Sequence, residues 1–387
     1  MKKVILFSFG LISILFATTI NIPSPDYPTI QAGINASVDG DTVLVAQGTY
    51  SENLILANEI VLASHAIYDD LDSQWLDNDN INNTIISGAH SGSCLIVRDG
   101  NIQPTVIGLT FQDGVGTSMI VVDCDPYPVR SGGAILIYKA YPTIMYNRFI
   151  NNGFTPGLSG GGTSVTNGGA ISHFADDDVE FDEDRDQANQ NNHSSRDIPE
   201  ELNIQNNYFE GNSSGDGENF YSFGYEGSIN VSHSVFEDID CESNTVNEFV
   251  LQSIEDEADY VQNEISGSCI ESNSFYVSIA GDDNNNGTET SPLKTIVHAL
   301  TLVKDDGTVT TINLNPGVYS PSSNGEHFPI VLPDNVHLIG VDSETTILDA
   351  EANANKEAAV MIIKVVENVT VANLTLTGGS SEGYGCT

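Results

Sequence analysis

The feature that most constrains the fold of this chain is an internal duplication. Residues 28–114 and 292–379 carry the same short motifs in the same order. The matching motifs are Pro28-Thr29-Ile30 with Lys294-Thr295-Ile296, Gly48-Thr49-Tyr50 with Gly317-Val318-Tyr319, Thr84-Ile85-Ile86 with Thr346-Ile347-Leu348, and Gly108-Leu109-Thr110-Phe111 with Asn373-Leu374-Thr375-Leu376. Self-similarity of this kind predicts a repeated module rather than one irregular domain.

Each copy begins with the pattern of a short amphipathic helix. Ile296, Ala299, Leu300 and Val303 fall at i, i+3, i+4 and i+7, which is one helical face, and Ile30 and Ile34 occupy the same face less completely. Short strands are predicted to follow at residues 42–45, 54–56, 60–62, 84–86, 95–97 and 105–107. Brief strands rich in Val, Ile and Leu, separated by Gly, Asn and Asp, suit parallel sheets stacked along a solenoid.

A shorter rhythm lies between the copies. Three segments share one template: Ile144-x-x-Asn147-x-Phe149, Ile204-x-x-Asn207-x-Phe209 and Val231-x-x-Ser234-x-Phe236. Phe209 and Phe236 are 27 residues apart, which is the length of one coil of three short strands. We therefore expect the Phe and Ile side chains to stack inside the coils and the asparagines to form a hydrogen-bonded ladder at a turn.

The net charge of the chain limits the kinds of molecule that it is expected to bind. The 387 residues include 54 acidic and 12 basic side chains, a net charge of −42 at pH 7. Such a field repels phosphate backbones and anionic headgroups, so nucleic acid is not an expected partner. The hydrophobic content of 40% is enough to build a core, which excludes disorder of the whole chain.

The N-terminus predicts export. Lys2 and Lys3 precede an apolar run over residues 4–16 and then small residues, the pattern of a secretory signal peptide over residues 1–19. A short membrane anchor is the alternative, but it needs about 20 apolar residues, and no later segment comes close. We expect a secreted or cell-surface monomer without a membrane span.

The cysteines fit an oxidising compartment. Cys94 and Cys124 are 30 residues apart, and Cys241 and Cys269 are 28 apart. Because one coil takes about that many residues, each pair could bridge adjacent coils as a disulfide, Cys94–Cys124 and Cys241–Cys269. Two pairs of buried thiols are the alternative.

Residues 29–34, 39–41 and 48–53 resemble the opening of secreted right-handed parallel β-helix proteins, which are similar in fold to pectin lyases and pectin esterases. Residues 275–278, 281–283 and 291–296 resemble an uncharacterised domain family of bacterial secreted β-helices. The resemblance implies an all-β, right-handed parallel β-helix solenoid in two tandem modules, each opened by an amphipathic capping helix. The expected modules are residues 20–270, with an acidic insert at 175–201, and residues 271–387, which we expect to be the truncated start of the second.

The resemblance extends to candidate chemistry, although its motifs say little about activity. Lyases of this fold abstract a proton with Arg or Lys, which points to Arg148; a solvated surface arginine is the alternative. Glycoside hydrolysis needs two carboxylates about 5–10 Å apart. The cluster Asp176, Asp177 and Asp178, close to His173, is the candidate for that pair.

Two acidic segments are candidates for weak Ca²⁺ binding, and no other cofactor is implied. Asp182, Asp184 and Asp186 match the start of a calcium loop, but Gln187 and His193 replace its glycine and its bidentate glutamate. Asp282 and Asp283 open an Asp- and Asn-rich stretch that is usually a turn and occasionally an oxygen-ligand site.

An aromatic cluster completes the candidates. Tyr221, Phe223, Tyr225 and Glu226 combine rings on which sugars stack with a carboxylate that accepts from hydroxyls, although part of this strand must face the core. We therefore expect an exported, non-catalytic protein that binds polysaccharide or cell-surface glycan in a surface or matrix role. An extracellular polysaccharide lyase or glycoside hydrolase is the alternative.

Overall fold

The computed structural model describes residues 17–98, 100–121, 127–153, 167–175, 179–181, 197–254, 258–304, 306–353, 359–363 and 366–380. Within these residues the protein is all-β, with mostly parallel sheets and few helices. The α-helices span Ile30–Ala36, Leu71–Gln74, Asp79–Asn82 and Ile296–Thr301, and the 3₁₀-helices span His65–Tyr68 and Trp75–Asp77.

The strands of the first two-thirds of the chain form four parallel sheets. Sheet 1 contains Thr19–Ile22, Thr42–Val45, Val61–Ser64, Thr105–Ile107 and Thr143–Met145. Sheet 2 contains Gly48–Ser51, Thr84–Ser87, Thr110–Gln112, Arg148–Ile150, Tyr208–Glu210, Val235–Ile239 and Ser266–Cys269. Sheet 3 contains Leu54–Leu56, Leu95–Arg98, Ile135–Tyr138, Ile171–Phe174, Phe220–Phe223 and Leu251–Ile254. Sheet 4 contains Glu201–Asn203, Ser228–Asn230 and Asp259–Val261.

The last third of the chain repeats this layering. Sheet 5 contains Ser274–Val277, Thr310–Leu314, Val336–Gly340 and Thr370–Ala372; sheet 6 contains Gly317–Tyr319, Thr346–Asp349 and Thr375–Thr377; sheet 7 contains Ile330–Val331 and Met361–Ile362. Successive passes of the chain add one strand to each sheet in the same order, and partner strands pair in parallel. This arrangement is consistent with a parallel β-helix, and five of the six predicted strands coincide with observed ones at their first residue.

Stacked aromatic rings and amide ladders hold the interior together. Phe111, Phe149, Phe209 and Phe236 form one column with ring centroids 5.6, 5.1 and 5.1 Å apart and nearly parallel planes. Beside them, the Asn147 Nδ2 donates to the Asn207 Oδ1 at 3.3 Å, and both side chains are fully buried. The predicted phenylalanine column and asparagine ladder are therefore present. A second ladder, which the sequence pattern did not reveal, runs through Asn152, Asn212 and Asn219.

Two short helices lie over the ends of the coils, and both are capped in the same way. Thr29 and Thr295 are the N-caps, and their hydroxyls accept from the backbone N–H of Ala32 and His298. A distant glutamate accepts from the first two free N–H groups of each helix. Glu52 accepts from Ile30 and Gln31 at 3.0 and 3.1 Å, and Glu326 accepts from Ile296 and Val297 at 2.8 and 3.2 Å. The predicted helical faces are buried, including Ile30, Ile34, Ala299 and Leu300.

An antiparallel ribbon lies on the outer surface of sheet 3. Its strands are Thr117–Val121, Tyr127–Ser131 and Val179–Phe181. Met119 of this ribbon packs against the outward-facing Leu136, Tyr138, Phe174 and Tyr221 of sheet 3, which forms an apolar cluster separate from the main core. Apolar side chains on the outer face of a sheet are therefore covered by a local insertion.

The second helix of this capping type joins the two parts of the chain. The side-chain amide of Asn247 donates to the carbonyl oxygens of Leu300, Thr301 and Val303 at the C-terminal end of Ile296–Thr301. Phe249 packs in the same apolar cluster as Val277 and Leu300. The helix therefore contacts the last coils of the first set of sheets as well as the core of its own.

Candidate functional site

An open cleft lies where the first set of sheets ends. It has a volume of about 490 Å³ and is lined by Ser243, Asn244, Thr245, Tyr260, Gln262, Asn263 and Glu264. We call it the polar cleft. Its volume falls in the range of about 300–1,000 Å³ that small-molecule sites occupy.

One wall of the polar cleft is a tight loop. The Asp240 N–H donates to the Thr245 carbonyl at 2.9 Å, and Asn244 takes up a positive φ of 59°, which asparagine tolerates better than most residues. The hydroxyls of Ser243 and Thr245 lie 2.6 Å apart. Backbone geometry therefore holds three short polar side chains together on this wall.

The opposite wall is the strand Asp259–Val261 and the residues that follow it. This strand pairs with Ser228–Asn230 on one side and has no partner strand on the other within the described residues. Gln262 ties the walls together, because its Oε1 accepts from the Val246 N–H at 2.9 Å. The loop therefore also has a structural role, because it covers the unpaired edge of this strand.

Tyr260 is the aromatic side chain of the polar cleft. In sheet 4 it pairs with Ile229, which pairs with Leu202, so it occupies a core position of the preceding coils. Its hydroxyl donates to the Gln252 carbonyl at 2.8 Å, and its ring stands edge-on to Phe220 at 6.1 Å. Because no later strand covers it, the ring is partly exposed and fixed in place.

The polar cleft has one charged lining residue, Glu264, and no Lys or Arg. The Glu264 carboxylate lies 3.4 Å from the Nδ1 of His233, with 82% of the Glu264 side chain exposed. The amide of Asn263 has no hydrogen-bond partner among the described residues, whereas its backbone groups bond to Ser232 and His233. Amide, hydroxyl and carboxylate groups therefore remain available to a ligand.

A second, closed cavity contains an acidic cluster. Glu218, Glu237, Asp238 and His298 line it, and its volume of about 10 Å³ leaves room for about one water molecule. Burial raises the pKa of Glu218 and of Asp238, and the neighbouring Glu237 carboxylate adds to both shifts. A carboxylic acid with a raised pKa beside other carboxylates resembles a hydrolytic acid–base pair, but this cavity cannot admit a sugar ring.

The two predicted catalytic side chains that the structure describes do not meet. His173 is fully buried against Tyr141 and Tyr225, and burial lowers its pKa to about 3. Arg148 lies on the outer surface of sheet 2, where its guanidinium stacks on Tyr208 at 4.4 Å and donates to the Asn82 Oδ1 at 2.9 Å. His173 is therefore a neutral core residue, and its assignment as a catalytic residue is wrong. Asp176, Asp177 and Asp178 lie outside the described residues.

Some of the predicted metal ligands lie outside the described residues, and the others have hydrogen-bonding roles in turns. Asp182, Asp184 and Asp186 lie outside the described residues. Asp282 accepts from the backbone and side-chain N–H groups of Asn284, and Asp283 accepts from the N–H groups of Lys294 and Thr295. Both therefore act as turn and helix-start acceptors. Within the described residues no group of three or more His, Cys, Asp or Glu side chains is placed to hold a metal ion.

The predicted aromatic platform is mostly interior. Tyr225 is 1% exposed, and its hydroxyl donates to the Pro199 carbonyl, so it cannot stack on a sugar. Tyr221 packs in the covered cluster on sheet 3, and Phe223 lies half-buried at the edge of that cluster. Glu226 is exposed. The alternation along this strand separated core from surface, but the ribbon that covers the surface side was not expected.

The structure contains one of the two predicted disulfides. Cys241 and Cys269 are joined, and they lie next to the loop of the polar cleft. Cys94 is a free thiol, so the predicted Cys94–Cys124 bridge is wrong. Its side chain points into the packed interior, where the Sγ donates to the Gln112 carbonyl at 3.3 Å. Cys124 lies outside the described residues.

Sequence reasoning missed the polar cleft, although one signal pointed to it. Asn230 pairs with Val261, so Gln262 stands where the preceding coil has the buried Val231. A polar residue at a core position of the repeat indicates that the stack ends there. The repeated template ends at Phe236, so the template alone does not include Gln262.

In comparisons with known proteins, only the C-terminal part of the chain matches a family model. Residues 279–383 match the model of the family described as "Protein of unknown function (DUF1565)", which is known as a β-helix-like domain. No curated protein and no solved structure matches the chain. The described residues include no helix with the length and apolar character to cross a membrane.

Proposed function

We propose that this is an exported, right-handed parallel β-helix protein in two modules that binds a glycan without chemical conversion. The observation that carries the proposal is the polar cleft. It combines amide, hydroxyl and carboxylate groups with one fixed tyrosine ring at the end of a rigid stack of sheets. Sugar hydroxyls can bond to the amide, hydroxyl and carboxylate groups, and the apolar C–H face of a sugar ring can stack on the tyrosine ring.

The two-module part of the proposal is supported by paired details that ordinary packing would not repeat. The two capping helices each receive a distant glutamate at their free N–H groups. In each copy a tyrosine hydroxyl donates to the carbonyl four residues earlier, Tyr50 to Ala46 and Tyr319 to Asn315. The boundary falls near residue 271, at the start of the strand Ser274–Val277.

Export is supported by the predicted leader and by cysteine chemistry. Cys241 and Cys269 are both exposed, and a surface disulfide persists in oxidising compartments. A surface or matrix location also agrees with the large negative charge, which keeps such a protein soluble.

Catalysis has less support than binding. The acidic cavity is too small for a sugar, and the Arg148 guanidinium already stacks on Tyr208 and donates to the Asn82 side chain. The polar cleft has one carboxylate, and the acidic cavity, which has several, is not of sugar size. The alternative of a lyase or hydrolase therefore depends on residues such as Asp177 that the structure does not describe.

The experiment follows retention and product formation together. The purified chain is passed over a panel of immobilised polysaccharides, and the eluate is assayed for new reducing ends and unsaturated products. We expect retention without products, and a loss of about fivefold in affinity for Asn263→Ala, which removes one ligand hydrogen bond. Glu289→Gln, which changes an exposed carboxylate outside the polar cleft, should bind as the parent does.

Two results would overturn the proposal. Products that accumulate with time would make the protein an enzyme, and Asp177→Ala would then test the undescribed aspartate cluster. Absence of retention on every polysaccharide would remove the glycan-binding role and leave a structural one.

A further inference from the structure

We infer that the polar cleft selects uncharged glycans and rejects those that carry uronate or sulfate groups. The inference rests on the proposed glycan-binding function and adds the chemical class of its ligand. It is drawn from the net charge of the chain, the lining groups of the polar cleft and the contact between Glu264 and His233.

The lining groups match a ligand with hydroxyls and no charge. Six of the seven side chains in the polar cleft are uncharged, and none is Lys or Arg. Recognition of an anionic sugar needs a positive partner, because a carboxylate that loses its water without one is left uncompensated. Amides and hydroxyls both donate and accept, so they fit sugar hydroxyls without any change of charge.

The one charged lining residue repels anions. Glu264 lies in the polar cleft with 82% of its side chain exposed. Its neighbour His233 is 46% exposed and lies outside the lining, so it moderates the carboxylate rather than offering a cation to the ligand. The whole chain carries a net charge of −42. An anionic sugar therefore meets negative charge from Glu264 and from the protein as a whole.

Salt separates this mechanism from simple shape selection. Electrostatic exclusion is screened over about 10 Å at 0.1 M salt and over about 3 Å at 1 M. Binding of an anionic oligosaccharide should therefore strengthen as salt increases. Binding of a neutral oligosaccharide through hydrogen bonds and ring stacking should change little over the same range.

The test measures the affinity of the purified chain for a neutral gluco-oligosaccharide and for an oligogalacturonate of equal length, at low and high salt. We expect the neutral ligand to bind about fivefold or more tightly at low salt, a ratio that corresponds to one unscreened contact between like charges. Glu264→Gln should reduce this ratio and leave the affinity for the neutral ligand within about twofold. Glu289→Gln, which removes an exposed carboxylate elsewhere, should keep the ratio of the parent.

The outcomes distinguish the inference from the function on which it rests. Equal or tighter binding of the oligogalacturonate would overturn the selection and leave glycan binding intact. An unchanged ratio in Glu264→Gln, or the same change in Glu289→Gln, would overturn the role of the polar cleft in that selection. If neither ligand nor any other polysaccharide binds, the proposed function itself fails.

Discussion

At the scale of single residues, buried amides do most to define how the coils stack. The Asn207 side chain is fully buried, and both of its polar atoms are hydrogen-bonded. Its Oδ1 accepts from the Asn147 backbone and side chain, and its Nδ2 donates to the carbonyls of Ile144 and Ile204 at 2.8 Å each. A side chain that pairs groups on two coils at once stabilises both the turn and the register between coils.

Asn207→Ala should therefore be strongly destabilising. The substitution leaves the N–H of Asn147 and two carbonyls buried without partners, and each such group costs about 1–3 kcal/mol. We expect a loss of roughly 3–5 kcal/mol in the free energy of unfolding, measured by urea titration. Asn203→Ala in the same coil is the matched control, because Asn203 is half-buried and its side chain makes only a 3.4 Å contact with the Gln205 N–H. Equal losses in the two variants would contradict the role of the ladder.

At the scale of elements, the sequence predicted what depends on local repetition. The strands, the capping helices and the phenylalanine column follow from short-range alternation and from the spacing of the repeat, both of which are visible along the chain. The covering of Tyr221 and the burial of His173 depend on an antiparallel ribbon and on neighbouring coils. Those contacts join residues far apart in sequence, so a local sequence pattern cannot predict them.

The candidate site was harder to predict for the same reason. Its two walls, residues 243–245 and 260–264, come together only because the stack ends at Asp259–Val261 and a loop folds back over the open edge. The sequence contains the polar residue at the core position, Gln262, but the cleft exists only in three dimensions. The predicted Cys241–Cys269 bridge came closest, since it borders the same loop.

The two capped helices provide a prediction at this scale, because the chain contains its own matched pair. Glu326 is 2% exposed and accepts from two backbone N–H groups, and Glu52 makes the same contacts from a half-buried position. Loss of a cap costs about 1 kcal/mol when water can replace it and about 2–3 kcal/mol when it cannot. We therefore expect Glu326→Ala to be more destabilising than Glu52→Ala by about 1–2 kcal/mol in urea unfolding. The reverse order would show that burial of the Glu326 charge outweighs its hydrogen bonds.

At the scale of the whole molecule, buried acids set the dependence of stability on pH. Asp216 is 9% exposed, and its Oδ1 has no hydrogen-bond partner in the described part of the chain. Burial raises the pKa of Asp216 from 3.8 to about 7, and Glu248 adds to the shift. Because the folded pKa is above the unfolded one, the stability that this group contributes is fully present below about pH 4 and is lost as the pH rises through about 7.

Asp216→Asn should remove this loss, since asparagine has the same shape and no charge to bury. The shift in pKa from 3.8 to about 7 corresponds to a gain of roughly 4 kcal/mol in the free energy of unfolding over the parent above pH 7, and to little difference near pH 4.

Asp282→Asn is the control of opposite sign, because hydrogen bonds from Asn284 lower the pKa of the exposed Asp282. Its carboxylate contributes stability that is present above about pH 4 and lost below it, so this variant should be less stable than the parent at neutral pH. Urea unfolding of the three proteins from pH 2 to pH 8 measures all of these differences, and a constant offset between Asp216→Asn and the parent from pH 4 to pH 8 would refute the assignment.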